Sequence, residues 1–277
     1  MALTETLQRL RFGLRRSPLK PILRALGVFA LGKRIYEFQI RRKGIHALEL
    51  LGTKVQLEAR TSAEISRIDN VQHETRFLER MLAAIQPGDT LFDVGANIGV
   101  LSILLAAVKR ADGITVHAFE PEERNVERLR KNISLNGLNS VHAHAFGLGA
   151  ETGTVSFYVD GEAGTGTHSM LASAAGGRER IEIQIRRGDE FIAEHDAAPD
   201  VVKIDVEGAE MEVLRGMTQA LAQRSVRDWF LEVHPDRLES SGSSVDEIFA
   251  LFDDAGYSRV WESPRGTEFH CHFTRAE

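Results

Sequence analysis

Apolar and polar positions along the chain alternate between two patterns. Short, mostly apolar runs occupy residues 90–94, 114–119, 201–206 and 229–233. Each of the first three is followed by a stretch with helical spacing: Val100 to Val108, Glu122 to Asn136 with Val126, Leu129 and Ile133, and Ala209 to Gln223 with Met211, Leu214, Met217 and Leu221. Buried strands alternating with helices predict a parallel sheet covered on both faces, a doubly wound α/β domain. Toward the end the rhythm changes. Val245 to Asp254 reads as a helix, Gly256 to Glu262 as a strand, Ser263 to Gly266 as a turn and Glu268 to Phe273 as the returning strand, an antiparallel hairpin at the sheet edge.

Candidate chemistry starts where the first run ends, at Asp93-Val-Gly-Ala-Asn-Ile-Gly99. A glycine-bearing turn between a strand and a helix lies at the carboxyl edge of the sheet, where this architecture binds nucleotides. Gly95 and Gly99 allow a sharp turn and close ligand approach. Asn97 tolerates positive φ. The amides at the helix start are expected to face an anionic group. No Gly-Lys-Ser/Thr follows, so this is not a P-loop. The glycines stand four apart, which departs from the dinucleotide fingerprint. Asp93 would repel a pyrophosphate but suits a zwitterion bearing an ammonium. S-adenosylmethionine, which carries an ammonium, a carboxylate and a sulfonium but no phosphate, fits that requirement. Glu120 ends the second strand, 25 residues after Gly95, close to the roughly 20 that separate the turn from a ribose-binding acid in dinucleotide folds. A carboxylate there can accept bonds from both ribose hydroxyls.

The run Val201 to Val206 is interrupted by Lys203 and Asp205, and Glu207-Gly208 follows. Asp205 and Glu207 are thus expected at the carboxyl edge beside the first strand, Asp205 nearest the sulfonium and the acceptor. His234 ends the next buried strand and faces the same crevice. An unperturbed histidine pKa near 6.5 suits a general base at neutral pH. Asp205, Glu207 and His234 are therefore the candidates to orient or deprotonate an acceptor. No metal is expected. The alternative is a cation among Asp205, Glu207, Glu232 and His234, whose carboxylates would suit Mg²⁺.

Four stretches together resemble the FkbM family of class I S-adenosylmethionine-dependent methyltransferases: Pro87-Gly-Asp89 leading into Asp93–Gly99; Phe119-Glu-Pro121 with Asn125, Leu129 and Asn132; Lys203-Ile-Asp-Val-Glu-Gly-Ala-Glu210; and Leu231-Glu-Val-His234. The third is the most specific. The resemblance runs from about Glu74 to the C-terminus. It implies a seven-stranded, mostly parallel Rossmann-like sheet. It also implies O-methylation of a hydroxyl, often on sugars and natural products. On this reading Asp93, Gly95, Asn97 and Gly99 hold the methionine part, with Asp205 near its sulfonium. Glu120 holds the ribose, with Pro121 and Asn125 beside it. Phe146, at the end of the third strand, lies by the adenine. Methylation of an amine or protein nitrogen, and a cofactor-binding partner subunit without activity, are the rival readings. A nicotinamide oxidoreductase is a third.

Charge refines the picture of partners. The 277 residues carry a net −6. Residues 1–43 hold eleven Lys or Arg against Glu5 and Glu37, a net +9, which leaves −15 for the remainder. An acidic catalytic domain argues against a nucleic-acid substrate. Leu3, Leu7, Leu10 and Leu14 form a helical stripe among arginines, broken by Pro18 and Pro21 before a second apolar segment, Ile22 to Phe38. This arm fits either a membrane-surface helix or a helical pair packed on the domain or on a second subunit, as in a homodimer. Residues 1–70 are taken as a basic extension of helices and a hairpin, the strands lying between Ala47 and Ile68. Residues 71–277 are the cofactor-binding domain. Within it, residues 154–186 form a lid-like insertion: Thr154 to Val159 and Ile181 to Arg186 pair around a small-residue loop carrying His168 and Ser169. Asp189 reads as a structural cap. The lone Cys271 permits no internal disulfide and agrees with a cytoplasmic location, peripheral to the membrane if the arm binds lipid.

Overall fold

A computed structural model describes residues 28–159 and 179–275. The leucine stripe of the arm, the prolines after it, and the loop with His168 and Ser169 lie outside the described residues. The chain begins with helix α1 (Val28–Lys43), a hairpin of β1 (Ile45–Leu50) and β2 (Thr53–Glu58), and helices α2 (Ser62–Asn70) and α3 (Thr75–Ala84). Leu51 and Gly52 both have positive φ, the twist a two-residue hairpin turn demands. Beyond Glu58 the expected strands give way to α2. Its signal was present in the sequence: Thr61 and Glu64 form a capping box, each side chain accepting from the other's backbone amide.

The central sheet has seven strands in the order β11-β12-β10-β9-β3-β4-β5. These are β3 (Thr90–Val94), β4 (Thr115–Phe119), β5 (Val141–His144), β9 (Val201–Ile204), β10 (Asp228–Val233), β11 (Tyr257–Arg265) and β12 (Glu268–Arg275). The first five are parallel, with Leu91 opposite Val116 and Val201. β12 runs antiparallel between β10 and β11. Strand order reverses between β3 and β9, so their carboxyl ends flank the crevice where such sheets bind ligands. The mostly parallel sheet and its edge hairpin agree with the expected fold. The turn lies later than expected, at Gly266-Thr267, because Ser263 to Arg265 remain paired with β12. β11 is an edge strand, so Pro264 forfeits no ladder bond that the sheet needs.

Helices α4 (Val100–Val108) and α5 (Glu123–Asn136) follow β3 and β4, and α6 (Gly188–His195) precedes β9. The segment expected as one helix from Ala209 is two, α7 (Glu210–Arg215) and α8 (Thr218–Ala222). Gly216 breaks it. A Cβ there would lie 2.0 Å from the Gly149 carbonyl oxygen, so the chain turns at the one residue that fits. Asp189 caps the second piece: its carboxylate accepts from the amides of Gln219 and Ala220 at 3.0 and 3.1 Å. Helices α9 (Pro235–Ser240) and α10 (Val245–Asp254) complete the layers.

One apolar cluster runs from Tyr36, Ile40, Leu48 and Leu57 through Ile65 and Ile68 to Leu91, Ile103 and Leu104. The expected boundary near residue 70 is thus crossed by a continuous core. On the other face Phe92, Phe119 and Phe191 pack edge to face with ring centroids 5.0–5.6 Å apart. His117 and His144 stack within the same group. Burial pushes both imidazoles down to about 4, so they sit in the aromatic layer as neutral rings. β6 (Gly147–Leu148), β7 (Gly153–Val159) and β8 (Glu179–Arg186) form a separate three-stranded sheet over the crevice, β7 and β8 pairing antiparallel as expected.

Candidate active site

The glycine turn is held from three sides. The amides of Gly95 and Ala96 both donate to the Phe119 carbonyl at 3.0 Å. Asn97, at φ +52°, donates its amide to Glu120 Oε2 at 2.8 Å and accepts from the Ile98 amide at 2.8 Å. The Gly99 amide donates to Ala96. Every amide from 95 to 99 therefore has a protein partner, and the helix-start amides expected to face an anion begin only at Val100. The glycines are there for closeness. A Cβ on Gly95 would lie 1.9 Å from the Asp205 carbonyl, and one on Gly99 would lie 2.2 Å from Leu129 Cδ1. Gly99 thus lets α5 close on α4 and does not line the crevice. Asn132 joins the frame, donating to the Ile98 carbonyl at 2.8 Å and accepting from the Glu58 amide at 2.7 Å.

Asp93 is fully buried beneath the turn and accepts from Ser102 Oγ at 2.5 Å. Lys203 Nζ lies 3.0 Å from Asp93 and 3.5 Å from Asp205, and donates to the Gly95 carbonyl at 3.4 Å. Asp93 therefore does not meet a ligand's ammonium. It anchors Lys203, which in turn ties the turn to the end of β9. Burial opposes the charge on Asp205, but Lys203 and Arg67 outweigh it and hold the carboxyl well below the usual carboxylate range. Arg67 Nη2 stands 3.4 Å from Asp205.

Glu120 is buried at the end of β4. Burial pushes its carboxyl up, against the amides of Glu122 and Asn97 and the side chain of Asn125. Those bonds measure 3.0, 2.8 and 3.3 Å.

His234 follows β10 and is buried. Its Nδ1 meets Glu210 Oε1 at 2.7 Å, and Nε2 lies 3.3 Å from Glu207 and 3.8 Å from Glu268. Burial alone would lower its pKa. The Glu210 bond and the charges of Asp205, Glu210 and Glu232 outweigh that and push it up to about 9. The ring is thus an imidazolium at neutral pH, which corrects the reading of His234 as a resting general base. Glu207 sits at φ +57°, rare for a residue with a side chain, and its carboxylate is also paired with Arg237. Gly208, at φ +103°, packs against Arg237, where a Cβ would lie 2.6 Å from that residue's own Cβ. Among the described residues two donor sets, Asp205-Glu207-His234 and Glu232-His234-Glu268, are compact enough for a cation. Both need His234 Nε2, which already faces Glu207 at 3.3 Å, and Arg67, Arg237 and Arg265 already pair with Asp205, Glu207 and Glu232. A metal in the first set would have to displace Arg67 and Arg237, and one in the second Arg265.

These groups open on one cleft of about 890 Å³, its open mouth included. Gly95, Asn97, Glu120, Pro121, Asn125, Asp205 and Glu207 line it, as expected. Asp93, Gly99 and His234 stand behind the lining. Phe146 does too: its ring packs on Phe119, His144 and Phe191 under the Arg186 guanidinium. The apolar wall comes instead from Leu148, Phe157, Ile183 and Ile185 of the small sheet. Arg67 also lines the cleft, and no sequence signal marked it. A lone cation inside an apolar strand did mark Lys203.

A glycine turn facing an acid at the end of the next strand, in a sheet of this order, defines the architecture of the class I methyltransferases. The chain belongs to the FkbM methyltransferase family within it. Residues 93–259 match the profile described as the methyltransferase FkbM domain. Hexuronic acid methyltransferase AglP of Haloferax volcanii is 32% identical over 76% of this chain and 80% of its own. 31-O-demethyl-FK506 methyltransferase FkbM of Streptomyces tacrolimicus is 32% identical over 67% of this chain and 80% of its own. The crystal structure of methyltransferase FkbM from Methylobacillus flagellatus is 17% identical, with a TM-score of 0.45, over 88% of this chain and 60% of that one. The protein is a methyltransferase.

Proposed function

We propose that the chain transfers the methyl group of S-adenosylmethionine to an oxygen of a sugar or other small natural product. The observation that carries this reading is the cleft's division into an apolar half beside the buried carboxylate of Glu120 and a charged half beside Asp205 and Glu207. An adenosine needs the first, and a sulfonium with a polar acceptor needs the second. When bound, the cofactor supplies a methyl carbon on positively charged sulfur. Of the roughly four acceptor sites on Glu120, two hold short backbone bonds and one the longer bond from Asn125. The remaining site and the loosely held one suit the two ribose hydroxyls. Leu148, Ile183 and Ile185 offer faces for the adenine. Asp205, kept ionised by Lys203 and Arg67, places a fixed negative charge at the junction of the halves.

The acceptor side belongs to Glu207. Its carboxylate lines the cleft and is held by Arg237 and the His234 imidazolium. With the cofactor bound, it would accept the hydrogen bond of the acceptor hydroxyl and take its proton as the oxygen–carbon bond forms and the carbon–sulfur bond breaks, the sulfur leaving as a neutral thioether. Such a positioned base contributes roughly 10²–10⁴-fold. The positive φ at Glu207, a strained state that clusters at active sites, supports its role. The names of the two relatives, one an acidic sugar methyltransferase and the other acting on a demethylated oxygen, support oxygen over nitrogen.

Calorimetric titration with S-adenosylhomocysteine and with NAD tests the cofactor. Binding of NAD without the first would overturn the reading. Transfer of labelled methyl into uronic-acid glycans and hydroxylated small molecules, set beside amines and protein, tests the acceptor. Label only on nitrogen would refute the oxygen assignment.

A further inference from the structure

We propose that Arg67, carried by the N-terminal extension, binds the α-carboxylate of the cofactor's methionine part; this rests on the S-adenosylmethionine reading above. The cleft has a second, inner lobe over the start of α4. Arg67, Gly95, Asn97 and Asp205 line both lobes, while Lys203 and Glu74 belong to the inner one. With the adenosine beside Glu120 in the outer lobe, the amino-acid head reaches the inner lobe. That head is a zwitterion and requires an acid and a cation. Asp205 supplies the acid.

The cation is found by elimination among the described residues. The turn amides from 95 to 99 are all used within the protein. Lys203 is shared by Asp93, Asp205 and the Gly95 carbonyl. Arg265 is taken by Glu74 and Glu232, and Arg237 by Glu207. Arg67 makes a single long bond, 3.4 Å to Asp205. A guanidinium has five donors in a planar fork that matches a carboxylate, so most of the fork remains for a ligand.

Arg67 is also held in place, which a binding residue requires. α2 is fixed by its capping box at the start. In the middle, the fully buried Glu64 accepts from Arg128 at 2.5 Å. Near the end, Asp69 accepts from Tyr36 at 2.9 Å and lies 2.9 Å from His46. The extension thus completes the cofactor site from a helix that precedes the family profile's match at 93–259.

The test compares two ligands on each variant by calorimetry. S-adenosylhomocysteine carries the amino-acid head; 5′-methylthioadenosine has the same nucleoside and thioether without it. Arg67→Gln should weaken the first by about 10- to 100-fold, the loss of a charge-assisted bond, and leave the second within about twofold. Arg67→Lys should fall between, since ammonium replaces a fork by a point charge. Equal loss on both ligands, or none on either, would overturn the proposal. Should the Gln variant fail to fold, the Lys variant decides by the same ratio. Failure of the wild-type protein to bind S-adenosylhomocysteine would instead defeat the cofactor reading itself.

Discussion

His234 should titrate far above an ordinary histidine, and the stability of the fold should report it. Glu210 holds Nδ1 at 2.7 Å, and the Asp205 and Glu232 charges favour the proton further, moving the group from 6.5 to about 9. At 1.36 kcal/mol per pH unit that difference corresponds to about 3 kcal/mol. The folded pKa is raised, so the stabilisation is complete below pH 6.5, where folded and unfolded chains are both protonated. Between 6.5 and about 9 the unfolded chain sheds the proton and the folded chain keeps it, so unfolding free energy falls with pH. Above about 9 the contribution is gone. Denaturant unfolding at intervals from pH 6 to 10, for wild type and His234→Asn, should show wild type losing about 3 kcal/mol more than the variant across that window. An NMR titration of the His234 ring should place its midpoint near 9, and Glu210→Gln should bring it down. Parallel stability profiles for wild type and variant, or a ring midpoint at or below 6.5, would refute the imidazolium assignment and restore His234 as a base.

Three further outcomes follow from the same contacts. Glu120→Gln removes the charge and turns one acceptor oxygen into a donor, so it loses either the Asn97 bond or the Glu122 and Asn125 bonds, and should weaken S-adenosylhomocysteine binding about tenfold or more; unaltered affinity would count against the ribose role. Glu207→Gln should lower kcat by 10²-fold or more, the scale of general-base loss, and leave cofactor affinity near wild type; an unimpaired turnover would remove Glu207 from the chemistry. Asp189→Ala removes the cap of α8 and should cost about 1–2 kcal/mol in chemical denaturation without altering KM, and a shift in KM would contradict its purely structural role.

Much of this architecture is legible from periodicity. Strands buried on both faces read as continuous apolar runs, so β3, β4, β9 and β10 appear in the sequence nearly at their observed bounds. The acids of the cleft are legible for a related reason, since a charged residue at the end of such a run has the sheet's carboxyl edge as its place. Besides Arg67, three things are not legible, each for its own cause. The break at Gly216 depends on the approach of Gly149, more than sixty residues away. The state of His234 depends on Glu210, which sits on a different element and whose partner no local pattern names. Phe146 lies at the position expected beside the adenine, but the rings of Phe119 and Phe191 draw it into the core, and β8 supplies the wall in its place.

Lys203 explains why the two best sequence signals belong together. One Nζ reaches Asp93, Asp205 and the Gly95 carbonyl, so the glycine turn and the Lys-Ile-Asp motif, 108 residues apart, close on the same atom. Buried charges are costly unless paired, and removing any member would strand the others away from water. Parallel pairing of β3 with β9 sets Asp93 opposite Lys203. The absence of a side chain at Gly95 then lets the Asp205 backbone approach to contact distance. Each requirement makes sense only with the other present. The Lys-x-Asp spacing therefore encodes more than a row of acids: it ties the floor of the cleft to the strand that Glu207 follows. In the proposed function, binding on one side of Asp205 and chemistry on the other rest on the same buried ion cluster.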